Sequence, residues 1–179
     1  MNKKPFWNTD RLLGVCAMIV SFGTFSMYIY QTHLIRVQQH ASVWPNLEMG
    51  PSIHITEKEG SYTINLENSG VGPAIIEEAS IVYKGEKHRA SFWYFFQNNY
   101  IPTDPRYSNI TSSDLYAGRV IQAGKNITLL NTKDLKTAKD FLDIFSSKVP
   151  KVTINITYRS IYNERWKIEG GFSVPKKIE

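Results

Sequence analysis

The sequence has a single cysteine, Cys16, and it lies inside an apolar run. No intrachain disulfide can form, so nothing ties the fold to an oxidising or a reducing compartment. Histidine is scarce too: His33, His40, His54 and His88. His33 and His40 stand seven apart, not at the i, i+4 spacing of a helical zinc site, so no metal site is expected. No G-x-S-x-G nucleophile elbow occurs, and no cofactor motif is recognisable. A dense basic stripe is also missing. Of the net charge of +5, residues 1–36 hold +3, from Lys3, Lys4, Arg11 and Arg36 against Asp10. Residues 37–179, with 17 basic and 15 acidic side chains, carry only +2. Binding to nucleic acid is therefore not expected.

Charge is absent altogether from Leu12 to Ile35, LLGVCAMIVSFGTFSMYIYQTHLI. At ~1.5 Å per residue a helix of this length reaches about 36 Å, enough for a ~30 Å hydrocarbon core with some tilt. Ser21, Thr24 and Ser26 can bond back to the helix backbone. Tyr28 and Tyr30 toward one end, and Trp7 toward the other, suit an interfacial aromatic belt. A cleaved signal peptide fits less well, because the run is too long and no A-x-A follows it. A lipoprotein acceptor role for Cys16 fits less well again, since Val15 precedes it and most of the apolar stretch follows it. The spacing thus predicts a cytoplasmic N-terminus (1–11), one transmembrane helix (12–35) and a helical stalk or linker (36–45). Pro45 and Gly50-Pro51 end that stalk. The basic residues before the helix place the N-terminus in the cytoplasm and the rest outside, in the periplasm of a bacterium.

The remaining residues, 46–179, read as one domain. Ser52–Thr56 and the alternating Tyr62, Ile64 and Leu66 suggest two strands joined around Lys58-Glu59-Gly60. Pro73–Tyr83 reads as a longer strand. Val120–Ile121 and Ile127–Leu130 flank Ala123-Gly124-Lys125 and suggest a second hairpin. Val152, Ile154, Ile156 and Tyr158 alternate, and Trp166, Ile168 and Phe172 follow a turn at Tyr162–Glu164. One helix is expected at about 132–148, capped by Thr132 or Asn131, with Leu135, Ala138, Leu142, Phe145 and Val149 as its apolar stripe and Pro150 as its stop. The fold class is mainly β: an immunoglobulin-like antiparallel β-sandwich with one inserted helix packed on a sheet edge. A small barrel is the alternative.

Three features stand out. Asn68-Ser69-Gly70-Val71-Gly72-Pro73 is glycine-rich, but strand-like residues follow it where a phosphate loop needs a helix. It reads as a structural turn built on Asn68, Gly70, Gly72 and Pro73, with the glycines supplying conformations that side chains oppose. Ser91–Tyr100 holds six aromatics: Phe92, Trp93, Tyr94, Phe95, Phe96 and Tyr100. They are either a contact surface or, as the favoured reading has it, core at Phe92, Phe95 and Phe96 with Trp93 and Tyr94 bridging to solvent. Residues 97–118 form a long polar stretch. Glu77 and Glu78 are adjacent, so a regular strand points them to opposite faces, where they cannot act as a pair. The Asn-x-Thr sequons at Asn109, Asn126 and Asn155 are glycosylation acceptors in a eukaryote and carry no meaning in a bacterium.

Asn68-x-Gly70-x-Gly72-Pro73-Ala74, then Ile75-Ile76, Tyr83-x-Gly85, Ala123-Gly124 and Ile156-x-Tyr158…Tyr162-x-x-x-Trp166, resembles a pattern in uncharacterised bacterial proteins with one N-terminal membrane helix and a β-rich domain. The resemblance covers most of 45–170. It implies that architecture and assigns no activity or functional residue. The functional expectation is a non-enzymatic module of a bacterial envelope complex, held at the lipid bilayer of the inner membrane and bound to another membrane or periplasmic protein. Two other readings stay open. One is an effector, a toxin or defence component, acting through the helix and self-assembling by Gly14, Ser21, Gly23, Thr24 and Ser26. The other is an enzyme with a site in 97–118.

Overall fold

A computed structural model describes residues 9–99, 107, 109–146 and 151–178. Tyr100, Trp7, Lys148, Val149 and Pro150 lie outside these residues, as does most of the first half of the 97–118 stretch. The chain divides into two compact units that meet between Ala41 and Ser42.

The first unit is α1 (Thr9–Ala41), exposed along its described length. It is long and apolar enough to cross a membrane. The hydroxyls of Ser21, Thr24, Ser26 and Thr32 each donate to the carbonyl four residues earlier, at 2.8–2.9 Å. These four hydroxyls are thereby satisfied within the helix, which is the condition a hydrocarbon environment sets. The helix continues past Ile35, as the polar but helix-compatible stalk suggested, and stops four residues short of Pro45.

In the second unit, β1 (Leu47–Ile55) and β2 (Gly60–Asn68) form the expected hairpin, in register from Leu47↔Asn68 to Ile55↔Gly60. Its turn is closed by Thr56, whose N–H donates to Glu59 O at 2.8 Å. Pro51 is accommodated because β1 is an outer strand. Tyr62, Ile64 and Leu66 point inward from β2, as their alternation predicted. The other strands are β3 (Ala74–Tyr83), β4 (Glu86–Arg89), β5 (Thr111–Ser112), β6 (Val120–Ile121), β7 (Asn126–Thr132), β8 (Thr153–Arg159), β9 (Arg165–Ile168) and β10 (Lys176–Ile178). They assemble into two antiparallel sheets, β1-β2-β7-β5 and β10-β9-β8-β3-β4, with β6 also on β3. Both sheets contribute to one apolar core. Tyr158 of β8 spans it, its hydroxyl accepting from the Leu47 N–H of β1 at 3.3 Å.

Two helices close the core at one end. In α2 (Phe92–Asn99), Ser91 stands at the N-cap and Phe92, Phe95 and Phe96 recur at i, i+3 and i+4, all buried. α3 (Leu135–Ser146) lies against β2, and Phe141 and Phe145 each place a ring 5.9 Å from that of Tyr62. Phe96 packs on Phe141 at 4.9 Å and on Tyr107 at 5.5 Å, and Phe92 on Phe145 at 5.9 Å. The result is an aromatic plug beside the β1–β2 turn.

Four expectations need correction. Val120–Ile121 and Ile127–Leu130 are not a hairpin: β6 pairs with β3 in one sheet and β7 with β2 in the other, so Ala123-Gly124-Lys125 is a crossing between sheets. The cap of α3 is Asp134, whose carboxylate accepts from the Thr137 N–H and hydroxyl, both at 2.8 Å; Thr132 belongs to β7. The buried face of α3 is Thr137, Ala138, Phe141, Ile144 and Phe145, rotated from the expected stripe, and it covers the core rather than a sheet edge. Phe172 does not continue β9, which ends at Ile168 and leaves Phe172 exposed.

Candidate functional site

The glycine-rich turn sits where the chain enters the domain. Asn68 is fully buried and uses its whole amide. Its Nδ2 donates to Gly72 O at 2.8 Å and Ile121 O at 3.0 Å. Its Oδ1 accepts from the N–H groups of Gly70 at 3.1 Å and Asn46 at 3.2 Å. The Val71 and Gly72 N–H groups donate to Trp44 O at 3.0 and 3.2 Å, and the Ser69 N–H to Asn46 O at 2.9 Å. One side chain thus ties together the turn, the start of β1 and the end of β6.

The glycines serve this turn differently from expectation. Neither Gly70 nor Gly72 has a positive φ. What they provide is space. A Cβ on Gly72 would lie 1.8 Å from Val43 O, and one on Gly70 2.3 Å from Asn46 N. The glycines let two backbones touch.

The aromatic segment splits cleanly. Phe92, Phe95 and Phe96 are core, while Trp93 and Tyr94 are 43% and 58% exposed. Trp93 joins Ser91, Ile110, Thr111, Ser112 and Asp114 in lining an open groove of about 560 Å³. That groove runs beside β5, the outer strand of its sheet. Sequence reasoning missed Ile110, Thr111, Ser112 and Asp114 as partners of Trp93, because they lie across an irregular stretch.

The outer face of the second sheet carries the charge. A bulge between Ile76 and Glu78 puts both Glu77 and Glu78 on that face, contrary to the expectation from a regular strand. Glu77 meets Arg165 at 2.8 Å and Arg159 at 3.6 Å, and Glu78 pairs with Lys87. Lys167 pairs with Glu169, whose carboxyl it holds below the usual carboxylate range. A polar hollow of about 130 Å³ lies among Glu78, Ser80, Lys87, Asn155, Thr157 and Lys167. Each acid has a base beside it, which describes a neutral charged surface better than a catalytic pair. A second open hollow, of about 530 Å³, lies between the β1–β2 turn and the start of α3, lined by His54, Lys58, Lys133 and Asp134 among others. Asp134 there already caps α3. Among the described residues no three His, Cys, Asp or Glu side chains are grouped to hold a metal.

Burial raises the tyrosine pKa at both ends of the core. It pushes Tyr62 up to about 12, and Tyr158 to about 12 despite the opposing hydrogen bond from Leu47. Neither group lines any of these hollows.

No protein-family model, curated protein or solved structure matches this chain.

Proposed function

We propose that this chain is a non-enzymatic, single-pass interaction module of a bacterial envelope complex. Its N-terminus lies in the cytoplasm, its domain in the periplasm, and it binds another membrane or periplasmic protein. The observation that carries the reading is Trp93. It is a large, half-exposed aromatic at the rim of a groove beside an outer strand, the kind of anchor that dominates binding energy at protein interfaces. An extended partner segment pairing with β5 would set its side chains against Trp93.

We read the domain as immunoglobulin-like. The orders β1-β2-β7-β5 and β9-β8-β3-β4 correspond to A-B-E-D and G-F-C-C′ of that fold. α3 is then an insertion between E and F, and β10 an addition beside G. The resemblance of the Asn68–Ala74 motif to bacterial membrane-anchored proteins supports the bacterial setting. The back-bonded hydroxyls of α1 favour an anchor over an effector assembled through its helix.

Recovery of partners from detergent extract by the full-length chain tests the proposal. Trp93→Ala is expected to lower recovery at least tenfold, while Lys58→Ala, on the β1–β2 turn, leaves it unchanged. No reproducible partner with the unmodified chain would sink it.

A further inference from the structure

The end of the domain remote from the entering chain carries charged turns, Glu57-Lys58-Glu59 and Lys84-Gly85-Glu86, beside α2 with its exposed Trp93 and Tyr94. The end at which the chain enters carries one basic turn, Ala123-Gly124-Lys125, and beside it a set of exposed apolar side chains. Val71, 66% exposed, stands between Gly70 and Gly72 on a turn that Asn68 holds fixed. Trp44, 47% exposed, is bonded through its carbonyl to that same turn. Ile161 and Tyr162, 49% and 40% exposed, form the β8–β9 turn. Strand register brings that turn to the same end: Arg159, just before it, pairs with Ile75, one residue beyond the start of β3. Two of the nearby acids are engaged. Glu48 accepts from the Ser69 hydroxyl at 2.7 Å, and Glu164 from Lys177 at 2.8 Å.

Chain length fixes what this end meets. α1 runs to Ala41, and Trp44, three residues on, is already bonded to the Asn68–Gly72 turn of the domain. Only Arg36–Ala41 separate the apolar run from the domain. Six helical residues rise about 9 Å. The headgroup layer of one leaflet is about 5–7 Å thick. Tilt of the helix shortens the gap further. Trp and Tyr are the residues that settle at that level, each with an apolar body and a polar tip.

We propose that Trp44, Val71, Ile161 and Tyr162 form a lipid-contacting surface, seated in the headgroup layer of the membrane that α1 crosses. This rests on the anchor reading given above.

The test uses the full-length chain in a Cys16→Ser background, reconstituted into phosphatidylcholine–phosphatidylglycerol vesicles. Val71→Cys, Ile161→Cys and Lys58→Cys are each labelled with a small fluorophore and quenched by lipid bearing a headgroup nitroxide. Labels at 71 and 161 are expected to be quenched at least threefold more than at 58. Equal quenching at all three sites overturns the proposal. So does protection of 71 and 161 from both the nitroxide lipid and aqueous iodide, which would mean that a second copy or another protein covers them. Carbonate extraction of the same vesicles separates the two claims. A retained chain with unquenched 71 and 161 refutes only the surface, whereas a released chain refutes the anchor and the surface with it.

Discussion

The two ends of the β domain are held by different forces. At the entry end, one buried amide, two close-approach glycines and a run of backbone hydrogen bonds fix Val43–Asn46 against the Asn68–Gly72 turn. At the far end, Phe92, Phe96, Tyr107, Phe141 and Phe145 pack ring on ring over Tyr62. Hydrogen bonds are directional and costly to leave unmade, so they define one geometry. Apolar burial of the rings is non-directional and contributes most of the energy. The difference shows where the domain needs position and where it needs only burial.

Breaking the plug should have the largest effect. Phe141 is fully buried among four rings. Phe141→Ala is expected to cost about 3–5 kcal/mol of domain stability, read by denaturant titration in detergent. Breaking the clasp comes next. Asn68→Ala leaves two carbonyls and two N–H groups short of a partner, at about 2–4 kcal/mol in all. Hydrogen exchange should then rise first at Asn46, Val71 and Gly72, while Phe141→Ala raises it throughout; the same pattern from both variants would erase the distinction between the ends. Gly72→Ala, which drives a Cβ into Val43 O, should reproduce the Asn68→Ala pattern.

A smaller effect is set by pH, with one tyrosine from each end. Tyr62 and Tyr158 hold their protons to about 12 in the fold, against an ordinary value of 10.0. The stability they contribute is complete below pH 10 and is lost as pH rises toward 12, because the unfolded chain ionises first. Alkaline titration of the melting temperature should show this fall, and Tyr62→Phe should flatten it. Tyr158→Phe should flatten it as well, but with a further loss of about 1 kcal/mol at neutral pH from the Leu47 bond. The smallest change is expected at Arg165→Ala, on the solvent face near the entry end, at about 0–1 kcal/mol.

What could be read in the sequence follows from how local each signal is. α1, the β1–β2 hairpin and the alternation of β2 and β8 are legible because every residue reports the same face or the same absence of charge. α2 was not, because Phe, Trp and Tyr favour strands; Ser91 as a cap and the i, i+3, i+4 spacing of Phe92, Phe95 and Phe96 were the available counter-signals. β6 and β7 look like a hairpin because a short Gly turn joins them, and only their partners, far away in the chain, separate them. The side-by-side placement of Glu77 and Glu78 depends on a bulge that alternation cannot foresee. Of the candidate contact residues, Trp93 and Tyr94 remain on the surface, and the groove beside Trp93 depends on Ile110–Asp114 folding back to it.

Pro51 has a consequence beyond its fit in an outer strand. On the anchor reading proposed above, copies of the chain share a membrane plane and meet far more often than copies free in three dimensions, and an open strand edge is a template for pairing them into aggregates. A residue with no N–H in the middle of β1 interrupts that template. The side of the first sheet opposite β5 is thereby made a poor place for two copies to join.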